Sequence, residues 1–142
     1  MRKQVPRTVI ELKDSQSPMA SHARGLLVGD MLYVGGQLAA DHPGGVAEQA
    51  RQDPAFPYYG SNIQKQTRHV LTNLARVFEA AGCSLADVIK SQVFLTDLND
   101  FYYFDQVWKE FFPSPPPRTT LQVGAMQVPG CLVEVDVVGC KR

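Results

Sequence analysis

The sequence predicts an α+β fold, a mixed β-sheet with two helices packed on one face. Three observations carry that expectation. Strand-like and helix-like segments follow in the order β-β-β-α-β-α-β-β, so helices alternate with strands only in the middle of the chain. Two stretches repeat apolar residues at helical spacing. The final run VEVDVVG alternates, which puts Glu134 and Asp136 on one face of their strand and apolar residues on the other. The sheet face away from the helices then needs a cover of its own.

Taken in order, TVIEL, Thr8 to Leu12, alternates weakly and predicts an edge strand. Leu26 to Val28, the pair Gly29-Asp30, and Met31 to Val34 predict two strands about a tight turn. Gly35-Gly36-Gln37 follows, and paired glycines at a strand end let another group approach the backbone. The stretch from about 41 to 60, rich in Pro, Gly and Tyr, predicts a long surface excursion, mobile or functional. Phe56, Tyr58 and Tyr59 within it either cover a cleft or pin the loop. Ser61 or Asn62 caps a helix reaching about Ala81, whose apolar face runs from Ile63 through Phe78, with Gly82 as its stop. Val88 to Leu95 is a β-rich strand. Asn99 or Asp100 caps a second helix with Phe101, Phe104, Val107, Trp108, Phe111 and Phe112 as its core stripe. Pro113 to Pro117 ends it, and strands follow at Thr119 to Val123 and Leu132 to Val138.

With 142 residues, 44% of them hydrophobic, the chain fits one domain spanning 1–142. Lys plus Arg equals Asp plus Glu, 14 against 14, so whole-chain charge offers no footprint for nucleic acid or anionic lipid. No apolar run is long enough to span a bilayer, and the first residues lack the apolar core of a signal peptide. A cytoplasmic location is the expectation. Cys83, Cys131 and Cys140 are widely spaced and make no CxxC pair. They read as small buried apolar residues, and no metal site or cofactor is expected.

One arginine stands apart. Arg118 directly follows Pro115-Pro116-Pro117 and precedes a strand, so it sits at a stiff strand entrance. There a guanidinium could hold a carboxylate through two parallel hydrogen bonds. The other reading is a surface arginine in a weak ion pair. Glu134 has a similar alternative, an ion pair with Arg118 or Lys141 tying two strands together.

An ordered set of segments resembles the Rid/YjgF family of imine deaminases: SHARG (Ser21 to Gly25), GDMLYVGGQ (Gly29 to Gln37), the long run Gln66 to Phe101, PPPRTTLQVG and VEVDVV. The resemblance spans nearly the whole chain, apart from the first dozen residues and the 41–60 stretch. It implies a chorismate-mutase-like (YjgF-like) fold and a homotrimeric barrel with ligand clefts between subunits. In the family an arginine after proline binds the substrate carboxylate, and Arg118 matches it. An acid in the last strand orients the attacking water, and Glu134 matches it. Gly35, Gly36 and Gln37 are expected to line the cleft. So are His22, standing near the family's common tyrosine, and Thr120, where some members carry cysteine. Gly35 replaces a serine, and Asp105 falls near a common asparagine.

The resemblance therefore implies cofactor-free hydrolysis of a small imine or enamine carboxylate, with Arg118 and Glu134 as catalytic residues. The alternatives are a small-carboxylate sensing module using the same cleft, and the RNA-cleaving or translation-inhibiting role attached to some relatives. Balanced charge, with no basic run interleaved with aromatics, gives nucleic acid little support. Arg24, Lys65 and Arg68 are candidates for a second carboxylate if the substrate carries two.

Overall fold

The computed structural model describes residues 2–13, 21–41, 45–52 and 59–142. Its strands are β1 (Arg7–Ile10), β2 (Gly25–Val28), β3 (Met31–Leu38), β4 (Ala40–Asp41), β5 (Gly45–Val46), β6 (Val88–Leu95), β7 (Arg118–Gln122) and β8 (Val133–Cys140). The helices are α1 (Tyr59–Ala80) and α2 (Phe101–Phe111). Six strands form one sheet in the order β1-β2-β3-β8-β6-β7, while β4 and β5 make a small separate hairpin. Only β6 and β7 pair in parallel, with α2 as their crossover, so the sheet is mixed as predicted.

Local chemistry explains the elements. Gly29, at φ 60°, makes the turn between β2 and β3, a left-handed conformation that other residues adopt at a cost. Helix α1 turns Ile63, Val70, Leu71, Leu74, Val77 and Phe78 to the sheet, all fully buried. It stops at Gly82 (φ 75°), where the Cys83 N–H donates back to the Phe78 carbonyl at 2.8 Å. Helix α2 contributes Phe104, Val107 and Trp108 to the same core. The facing residues come from alternate positions: Leu32 and Val34 on β3, Val93 and Leu95 on β6, and Val133, Val135 and Val137 on β8. Each such side chain adds about 1.5–3 kcal/mol when fully withdrawn from water.

Several boundaries differ from the sequence reading. Strand β3 does not end at Val34; it continues through both glycines to Leu38, with a register shift between Val34 and Gln37. Helix α1 begins at Tyr59, ahead of the expected caps Ser61 and Asn62. The side chain accepting a capping bond before α2 is Asp97, which takes the Asn99 N–H at 2.9 Å. Asp97 wins because a short 3-10 turn at Leu98–Asp100 precedes the helix. Phe101 is exposed rather than core. The stretch after β3 is not wholly superficial, since Ala47 and Ala50 are buried against the core. His42, Phe56 and Tyr58 lie outside the described residues.

The second sheet face is open. Cross-strand partners share a face, which places Val9, Leu26, Tyr33 and Val138 in one row and Leu121, Phe94 and Glu134 in another. Val9 (54% exposed), Tyr33 (49%) and Leu121 (52%) stand on that face beside the polar Lys90, Gln92, Glu134 and Asp136, and among the described residues nothing covers them. Among the described residues no helix is long and apolar enough to cross a membrane.

Where α1 crosses β8, Gly139 meets the ring of Phe78. A Cβ there would stand 2.6 Å from Cε1 and 3.4 Å from the Asp87 carbonyl oxygen. Gly139→Ala is expected to lower unfolding stability by about 1–3 kcal/mol through overpacking, read from the urea midpoint.

Candidate active site

Glu134 projects from β8 onto the open face, opposite Leu38 and Phe94. Beside it the register shift of β3 brings Gly36 against the carboxyl group. A Cβ on Gly36 would overlap Glu134 Oε1 and stand 2.7 Å from Cδ. The glycine therefore makes the space that the carboxylate fills. The bulge is braced on both sides: the Gly35 N–H donates to the Arg24 carbonyl at 3.0 Å, and Gln37 Nε2 donates to the Gly35 carbonyl at 3.0 Å. Gln37 itself is buried.

Burial pushes the Glu134 carboxyl above its ordinary range, and the neighbouring Asp136 charge adds to the rise. The exposed His22 pulls the other way. Asp136 is also raised by burial, against the pull of Lys90. Among the described residues Glu134 makes no ion pair, so neither Arg118 nor Lys141 ties it down. A half-buried carboxyl with no counter-ion and a raised pKa is a stronger base than an ordinary glutamate.

Arg118 begins β7 at the sheet edge, level with Ser91 of β6. Its side chain turns toward α2. Nη1 donates to Asp105 Oδ1 at 2.8 Å, and the guanidinium carbon stands 5.0 to 5.3 Å from the ring centroids of Phe101, Phe104 and Trp108. Lys109 reaches the other Asp105 oxygen at 3.6 Å. The prolines hold the approach, because Ser91 N and Oγ both donate to the Pro117 carbonyl, at 2.9 and 2.8 Å. Thr120, level with Val93, shares the Arg118 side of its strand.

The predicted residues thus fall into two groups. His22, Gly35, Gly36, Gln37 and Glu134 gather about the β3 bulge. Arg118 and Thr120 stand on the helix side of the edge strand. Strand β6 lies between β7 and β8, and within one chain Arg118 and Glu134 face opposite sides of the sheet. Sequence reasoning missed the role of Asp105 as the partner of Arg118. The spacing of Asp105 and Lys109, one helical turn apart, was the available signal.

The other candidates are engaged elsewhere. Lys65 Nζ donates to the Arg51 carbonyl at 3.1 Å, and Arg68 pairs with Glu110 on the outer surface of the helices. Burial and the charge of Arg76 lower the Arg24 pKa. Cys83 and Cys131 are free thiols pushed up by burial, which disfavours a nucleophilic thiolate. Among the described residues no three His, Cys, Asp or Glu side chains converge to hold a metal ion.

The profile of the family described as endoribonuclease L-PSP matches residues 13–140. A RutC family protein of Saccharolobus solfataricus is 33% identical over 136 residues, covering 95% of this chain and 98% of that protein. The Rid-family protein YyfA of Yersinia pestis, a protein of unknown function, superimposes with a TM-score of 0.78 at 28% identity, covering 95% of this chain and 99% of its own. Escherichia coli TdcF with bound serine gives 0.79 at 27% identity, with the same coverage.

Gly36→Ala is expected to drive the Glu134 carboxyl out of the bulge and into water. Its titration, followed by carboxyl-carbon NMR, should move down toward the ordinary glutamate range of about 4.3.

Proposed function

Since the chain belongs to the endoribonuclease L-PSP family, the family of the Rid and YjgF proteins, we propose that it hydrolyses a small imine or enamine carboxylate to the 2-keto acid and ammonia. The observation that carries this reading is Glu134, a half-buried carboxyl lodged against Gly36 with its pKa raised and, among the described residues, no ion pair. The site forms between neighbouring copies in a ring of three. Arg118 of one copy binds the substrate carboxylate, and Glu134 of the next serves the water. Two features support an inter-copy cleft: the pair faces opposite sides of one sheet, and the open face leaves Val9, Tyr33 and Leu121 exposed. A cyclic, head-to-tail interface would cover that face and bring the two side chains together. That TdcF is found with serine bound agrees with a small amino-acid-like ligand.

The chemistry needs few groups. Arg118 anchors the carboxylate and so fixes where the imine carbon lies, a positioning effect worth up to about 7–11 kcal/mol in ideal cases. With the imine nitrogen protonated, Glu134 takes a proton as the water oxygen bonds to the imine carbon, giving a neutral carbinolamine. It returns that proton to nitrogen, then takes the hydroxyl proton as the C–N bond breaks, and ammonia leaves with the bonding electron pair while the carbonyl forms. General-base help of this kind contributes about 10²- to 10⁴-fold. Gly35, Gly36, Gln37, His22 and Thr120 line the cleft, and no cofactor takes part.

Arg118→Ala is expected to cut ammonia release by at least about 100-fold, with imines made in situ by an amino-acid oxidase and oligomeric mass followed by light scattering. Ligand binding without ammonia release by the native protein would replace the deaminase with a sensing role at the same cleft. Glu134 must be deprotonated to act, so kcat/KM is lost as pH falls through its raised pKa. The acid limb should therefore lie above the ordinary glutamate value of about 4.3 and vanish in Glu134→Gln, as a pH–rate profile would show.

A further inference from the structure

Arg118 opens onto a hollow of about 430 Å³ between α2 and the proline-rich segment before β7. Its apolar wall is Trp108, Phe112, Pro113, Pro115 and Pro116. Its polar side is Asp105, Lys109 and Arg118, with Asp105 already holding one guanidinium nitrogen and facing Lys109 across its second oxygen. Both Asp105 and Arg118 are mostly buried, with side chains 24% and 17% exposed, so their charges are only partly screened. Among the described residues Nε and Nη2 of Arg118 make no hydrogen bond, leaving that edge of the fork for one carboxylate.

We propose that Asp105 is a specificity-determining residue: it permits Arg118 one carboxylate and reserves the hollow for an uncharged side chain. The substrate class is then a monocarboxylic imine with an aliphatic or aromatic side chain. This rests on the carboxylate-binding cleft proposed above. The charge count supports it, because Asp105 against Lys109 and Arg118 leaves one net positive charge, which one carboxylate neutralises. A second carboxylate entering the hollow would meet proline and indole walls, and a lysine whose charge Asp105 already answers. Burying an unpaired charge there is costly. Two of the three cations named for a second carboxylate, Lys65 and Arg68, are bonded elsewhere.

The test is calorimetric binding of two product keto acids, those of leucine and of glutamate, to the intact protein, with ammonia release measured on the matching imines. The native protein should bind the leucine keto acid at least about tenfold more tightly than the glutamate one. Asp105→Asn keeps an oxygen for Arg118 but removes the negative charge. It should tighten both ligands and narrow that ratio about tenfold. Lys109→Gln, at an exposed position, should weaken both and widen the ratio. A purely structural role would not produce opposite shifts from the two variants. Equal binding of the two acids, or shifts of the same sign, would overturn the proposal. Discrimination without ammonia release would uphold the assignment of Asp105 and remove the deaminase reading alone. Failure of both acids to bind would remove both readings.

Discussion

Strand β8 lies between β3 and β6, and its two-residue alternation divides the molecule. Val133, Val135 and Val137 point into the layer beneath α1 and α2 and are fully withdrawn from water. Glu134, Asp136 and Val138 point the other way. A slip of one residue would bury both acids against Phe78 and Trp108 and expose three valines, so the register is strongly held. Every later feature depends on that register. Glu134 meets the β3 bulge because β8 pairs with β3 at this position, and Gly139 passes under Phe78 for the same reason.

The β3 bulge and the β7 edge use different means to place a functional group. At the bulge an absence is used: Gly36 has no side chain, and the Glu134 carboxyl occupies the space. Desolvation then raises its pKa, and the Asp136 charge adds to the rise. At the edge a crowd is used. Three aromatic rings, Asp105 and a proline-stiffened approach confine a guanidinium that would otherwise sample many rotamers. Among the described residues the carboxyl has no counter-ion, while the guanidinium has Asp105. That asymmetry accords with the roles proposed for Glu134 and Arg118.

The order of elements was legible in the sequence because it rests on short-range rules. Gly29-Asp30 marks a hairpin, Gly82 ends α1, and Val88 to Leu95 appears as a strand at its own boundaries. The errors came where a local pattern met a longer-range demand. A pair of glycines reads as a strand end, yet β3 continues because β8 offers its ladder on both sides of the bulge. Phe101 fits the apolar stripe of α2 but stays at the surface, over the Arg118 guanidinium. Asp100 is the N-cap of α2 as read, yet its side chain makes no capping bond, and the 3-10 turn before it takes one from Asp97.

By itself the sequence determined the α+β class, the two helices, the edge position of the first strand and the shared face of Glu134 and Asp136. Periodicities of about 3.6 and 2 residues are properties of neighbouring positions, so they survive in one dimension. The tertiary structure alone decided that Arg118 and Glu134 look to opposite sides of the sheet, that Asp105 holds Arg118, and that Gly36 is where Glu134 rests. Each of these depends on which strands become neighbours and on which face a residue emerges. Residues 105 and 118, or 36 and 134, meet only after long loops have closed.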